Sequence, residues 1–122
     1  LPPGANFLDH SGVERTEFRV RWWAKAEPGV TCAELLFPDA EGFTTPPASP
    51  AALAAIPGYP ADAPPLFIGH YFKPANSPLS PEAPNLACLD HSAAKDGPLV
   101  AYRWRGEATL NPDHYVTHEA PR

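Results

Sequence analysis

The sequence predicts an α/β fold made mostly of short β-strands with one or two short helices. Short apolar runs stand at residues 66–68, 85–89 and 99–103, each bounded by Gly, Pro, Asn or Asp, and a run at 17–23 has period two; both are strand patterns. Only residues 49–56 read as a helix from cap to stop. At 122 residues the chain has room for one domain with a modest core. Residues 1–122 are therefore expected to form a single segment, with a strand and proline-rich connecting region over 1–64 and a sheet over 65–122.

Taken in order, Asp9-His10-Ser11-Gly12 is a turn. Residues 17–23 should be a half-buried strand with Phe18, Val20 and Trp22 on the core face and Glu17, Arg19, Arg21 and Trp23 on the other. Simple packing is the plainer role for these aromatics than base stacking. Residues 31–37 fit either a second strand or the start of a helix. In Ser49-Pro50-Ala51-Ala52 a serine caps a helix with proline at its first position, and Pro57-Gly58 stops it about two turns later. Eighteen prolines, well above the roughly 5% usual in globular chains, divide the middle of the chain into short pieces joined by stiff turns.

Strands are expected at 66–68 and 85–89, the second ending at Asp90, and at 99–103, with Val100, Tyr102 and Trp104 facing one way. Lys95-Asp96-Gly97-Pro98 is the turn before the last of these. Gly106-Glu107 reads as a hairpin turn into a partner strand at 108–110.

Nine basic against fourteen acidic residues give a formal charge of −5. DNA, RNA and anionic membranes need a broad basic surface, so they are disfavoured as partners. A small phosphate ester is not, because a metal ion can supply positive charge. Cys32 and Cys88 allow one disulfide by count, but two buried thiols in a reducing cytoplasm is the plainer reading. There is no basic n-region and no apolar run near 20 residues, so secretion and membrane spanning find no support. A start at Leu1 rather than Met fits a processed chain or an excised fragment.

His70 follows a buried strand and a glycine, which could bend the backbone tightly and leave the imidazole fixed by the strand behind it. It is either a metal ligand or one more turn histidine. Asp90 would emerge at the same sheet edge if the two strands are neighbours; it could equally cap the turn through Ser92. Lys95 could meet a phosphoryl oxygen or lie solvated. Ser92 lacks the glycines of a nucleophile elbow, and three consecutive residues, Asp90, His91 and Ser92, rarely face one another as a triad. His114 and His118 are one helical turn apart after Asn111-Pro112, a candidate cap, and read as a surface pair.

Residues 66–72, read as LFIGHYF, followed by residues 85–104 with Ala-Cys-Leu-Asp, Lys-Asp-Gly and Tyr-Arg-Trp, resemble the carboxy-terminal part of bacterial calcineurin-like metallophosphoesterases. These are the enzymes grouped with serine/threonine protein phosphatases and diadenosine tetraphosphatases. Residues 9–12 and 19–23 are similar to the segment that precedes this motif. The resemblance implies a sandwich of two β-sheets with flanking helices and a dinuclear centre of Mn, Zn or Fe that activates water against a phosphate ester. It implies His70 as a metal ligand, with Tyr71, Asp90 and Lys95 at the substrate rim, and it implies no catalytic residue within these 122. The Asp-x-His, Gly-Asp-x-x-Asp and Gly-Asn-His motifs that supply the other ligands are absent. The expectation is thus the carboxy-terminal segment of a cytoplasmic phosphoesterase, inert alone and partnered by the missing amino-terminal part. The rivals are a noncatalytic module binding protein or ligand through its proline-rich middle, and a single-metal enzyme using His70, Asp90 and another histidine.

Overall fold

The computed structural model describes residues 1, 6–9, 11–40 and 45–119, which form mixed small sheets with few short helices. The chain divides into two compact units, Leu1–Pro60 and Ala61–Arg122.

In the first unit β1 (Phe7–Leu8) and β2 (Glu14–Arg15) pair antiparallel, Phe7 opposite Arg15. The turn between them is built on Asp9, whose carboxylate accepts from the Ser11 and Val13 amides at 2.9 and 3.0 Å, the Ser11 hydroxyl at 2.6 Å and Arg15 Nε at 2.9 Å. These donors, the Ser11 hydroxyl foremost, hold its carboxyl well below the usual range. His10 lies outside the described residues.

The period-two run at 17–23 does not form the expected strand. Among the described residues it forms an isolated bridge, between Val20 and Leu36, and no strand. An extended partner is missing because residues 31–37 begin as α1 (Cys32–Leu35), where Thr31 and Glu34 make a reciprocal capping box. Thr31 accepts from the Glu34 amide at 3.2 Å, and Glu34 accepts from the Thr31 amide at 2.8 Å, which decides for the helix. The chain also turns at Trp22, with the Ala24 amide donating to the Arg21 carbonyl at 2.9 Å. As a result Trp23, placed by its period on the outer face, is buried, while Phe18, Val20 and Trp22 are half-buried. Trp23 packs edge-on against Phe37, centroids 5.1 Å apart, in a core with Leu35, Leu36 and Ala48. Thr31→Ala removes the hydroxyl that accepts from the Glu34 amide, leaves the Thr31 amide bond to Glu34 in place, and is expected to cost about 1 kcal/mol in urea denaturation read through the first unit.

The second helix, α2 (Pro50–Ala54), starts where the cap predicts: Ser49 accepts from the Ala52 amide at 3.2 Å and Pro50 takes the first position.

Among the described residues the second unit holds two two-stranded sheets. β3 (Leu66–Ile68) and β4 (Leu86–Cys88) run parallel, Leu66 opposite Leu86 and Ile68 opposite Cys88. All three β4 residues are buried. β5 (Leu99–Tyr102) pairs antiparallel with β6 (Tyr115–His118), Tyr102 opposite Tyr115. Ala87, Val100, Leu110 and Tyr115 form the core, with Leu89 and Tyr102 packed on it.

Here the expected hairpin into 108–110 gives way to a longer connection. Glu107 folds back, accepting from the Arg105 amide at 2.7 Å and from the Tyr102 hydroxyl, so residues 105–107 close on themselves instead of launching a strand. Leu110 enters the core, and a 3₁₀ turn, Pro112–His114, capped by Asn111, sends the chain back as β6. Trp104 lies beyond the end of β5 and is 55% exposed, not on the core face with Val100. Because the turn after Asn111 stops within three residues, His114 and His118 are not aligned on one helix; His118 is an exposed strand residue opposite Leu99. No helix among the described residues is long and apolar enough to cross a membrane.

Candidate functional site

Parallel pairing sets β3 and β4 side by side with their carboxyl ends together, and those ends carry His70 and Asp90. The Asp90 carboxylate meets the histidine at its backbone: Oδ2 accepts from the His70 amide at 2.9 Å. Oδ1 accepts from the Ser92 amide at 3.0 Å, so Asp90 also caps its own turn, the other role open to it in the sequence. The His70 ring is exposed and lies against Phe72, centroids 4.8 Å apart.

The tight bend falls on the histidine and not on the glycine before it. His70 has φ 66° and Phe72 φ 53°, whereas Gly69 is outside the left-handed region, and a Cβ there would meet Asp90 Cβ at an ordinary 4.0 Å. A left-handed residue with a side chain costs about 1 kcal/mol or more, so the surrounding contacts must hold it. They do so from the β4 side: the Lys73 amide donates to the Asp90 carbonyl at 3.0 Å, and the Ser92 hydroxyl donates to the Lys73 carbonyl at 2.8 Å.

Tyr71 is half-buried within the same loop. Lys95 is exposed at the end of a 3₁₀ turn, Ala93–Lys95, that follows Asp90, its amide donating to the Ser92 carbonyl at 2.8 Å. Asp90, His91 and Ser92 make no proton relay, since the Ser92 hydroxyl is spent on Lys73 and, among the described residues, neither ring nitrogen of His91 has a hydrogen-bond partner.

Behind this edge lies a buried polar group that sequence reasoning missed. Lys73 and Glu82 form an ion pair with side chains 8% and 5% exposed, and the second Glu82 oxygen accepts from the Cys88 amide at 2.6 Å. Nothing in the spacing announces it, because the two residues are nine apart across a run of prolines. Burial pushes the Cys88 thiol up to about 11, which keeps it protonated. Cys32 and Cys88 are both free thiols.

His91 is 1% exposed. Burial holds its imidazole below the ordinary value, Lys73 adds to that, and Glu82 and Asp90 oppose it. In the unfolded chain the same ring binds a proton near pH 6.5. With the folded value depressed, the unfolded state binds more protons below that pH, so stability is full above about 6.5 and falls as the pH drops below it. Denaturant midpoints between pH 7.5 and 5 are expected to fall, and His91→Gln should flatten that slope. An unchanged slope in the variant would put the titration elsewhere.

Among the described residues no group of three or more His, Cys, Asp or Glu is placed to hold a metal ion. His70 suits one ligand position, an exposed imidazole on a tied backbone. Each Asp90 oxygen already accepts one amide, which ties the carboxylate to the backbone of its own edge. These residues alone do not make a dinuclear centre. No family model, curated protein or solved structure matches the chain.

Proposed function

We propose that the chain is the carboxy-terminal segment of a metal-dependent phosphoesterase, a metallophosphoesterase-type sandwich whose remaining strands and ligands belong to another part of the same protein. His70 supplies one ligand to a divalent Mn, Zn or Fe centre. Tyr71 and Lys95 stand near the phosphate ester substrate. The observation that carries this reading is the parallel pairing of β3 with β4, which brings the ends bearing His70 and Asp90 to one sheet edge and leaves the imidazole exposed there. The formal charge of −5 is compatible with an ester substrate only where a cation contributes the positive field. The metal, when bound, supplies the charge that draws the phosphoryl oxygens and activates water; the role of this chain is to hold one imidazole in place.

His70→Ala in the complete protein is expected to lower hydrolysis of a generic phosphomonoester by about a hundredfold, as loss of a metal-centred stabilisation does. Activity within about threefold of wild type would count against the reading. The 122-residue chain by itself is expected to bind Zn²⁺ weakly, with His70 resonances shifting first in an NMR titration. Stoichiometric binding at micromolar affinity would instead support a self-contained single-metal site.

A further inference from the structure

We propose that Asp90 is a positioning residue for His70: its carboxylate grips the His70 backbone amide and thereby fixes a left-handed turn that sets where the imidazole stands beyond the sheet edge. This assignment depends on His70 being a ligand, and it gives Asp90 a role other than contact with substrate.

Three observations carry it. His70 and Phe72 adopt positive φ although neither is glycine, so the loop needs an outside hold. That hold comes from a residue twenty positions away, through Oδ2 to the His70 amide at 2.9 Å, with the Asp90 carbonyl taking the Lys73 amide at 3.0 Å. The remaining oxygen, Oδ1, is taken by the Ser92 amide at 3.0 Å, and Ser92 in turn donates to the Lys73 carbonyl at 2.8 Å. Three bonds therefore tie residues 70–73 to residues 90–92, and the fourth, from the Ser92 amide, braces Asp90 within its own turn. A carboxylate receiving amides makes charge-assisted bonds stronger than a neutral acceptor would. Fixing a ligand through the groups behind it is how a site keeps its geometry without moving the ligand itself.

Amide hydrogen exchange of the 122-residue chain, followed by NMR in wild type, Asp90→Ala and Asp90→Asn, tests the grip directly. The His70 amide is expected to exchange about tenfold or more faster in Asp90→Ala, while the amides of Leu86–Cys88 keep their protection. Asparagine retains one acceptor oxygen and should fall between, and it serves the same comparison if the alanine variant does not fold. Unchanged His70 exchange in a folded variant overturns the proposal.

In the complete protein, Asp90→Ala should weaken Mn²⁺ affinity by about ten- to a hundredfold and should weaken it no further in the His70→Ala background. Equal losses in both backgrounds overturn the positioning role. Full activity of His70→Ala alone would sink the phosphoesterase reading while leaving the exchange result standing, so the two failures are distinct.

Discussion

Gly97→Ala is expected to unfold the second unit or to cost it more than about 3 kcal/mol, a loss reserved for a named steric or burial fault. A Cβ at this position would lie 2.0 Å from the His91 carbonyl oxygen and 2.9 Å from both the carbonyl carbon and oxygen of Ser92. All three are backbone atoms, so no side-chain rotation relieves the contact. The segment is already fastened there, because the Gly97 amide donates to the Ser92 carbonyl at 3.0 Å and Gly97 is buried. Gly106→Ala is the natural control: it has φ 93° but open space around it, so its cost is conformational alone, about 1 kcal/mol. Denaturation followed through the Leu86–Cys88 and Val100 amides checks both. A loss at Gly97 no larger than at Gly106 would show that the 92–97 turn can move away from β4, and the support of Asp90 and Ser92 would have to be sought elsewhere.

Glu82→Ala is expected to cost about 3–5 kcal/mol, because it strands the Lys73 ammonium in a site where it is only 6% exposed. It also leaves the Cys88 amide, at the carboxyl end of the fully buried strand β4, without its acceptor. The charge can be separated from the hydrogen bond by a second variant. Lys73→Met with Glu82→Gln removes both charges and keeps an acceptor for Cys88, and it should recover most of the loss, so the single and double changes are far from additive. Urea midpoints at neutral pH give the comparison. A Glu82→Ala loss under about 1 kcal/mol would mean that water reaches the pair.

Lys73 connects this buried pair to the candidate site. Its side chain is held by Glu82, its amide by the Asp90 carbonyl and its carbonyl by the Ser92 hydroxyl, so the loop carrying His70 is anchored at its far end to the inside of the unit. Glu82→Ala should therefore also raise the exchange rate of the Lys73 amide, beyond what global destabilisation explains.

Much of the local structure was legible in the residues themselves. Ser49 followed by Pro50 identifies the start of α2 because cap and first position lie next to each other in the chain. The apolar runs marked β3, β4 and β5 within a residue or two, since a short run bounded by turn formers needs no distant information. Where distance mattered, the pattern failed: the alternation at 17–23 lost its strand to a helix in the neighbouring segment, and the hairpin expected at 106–107 lost its partner to residues 115–118.

What the sequence by itself determined is the set of short elements and the position of His70 at the end of one of them, because propensity, capping and turn chemistry act over a few neighbours. Tertiary structure alone decided the parallel register of β3 and β4, the grip of Asp90 on an amide twenty residues earlier, and the burial of Lys73 with Glu82. Each of these joins groups far apart along the chain, and their free energy exists only once loop closure has brought them together.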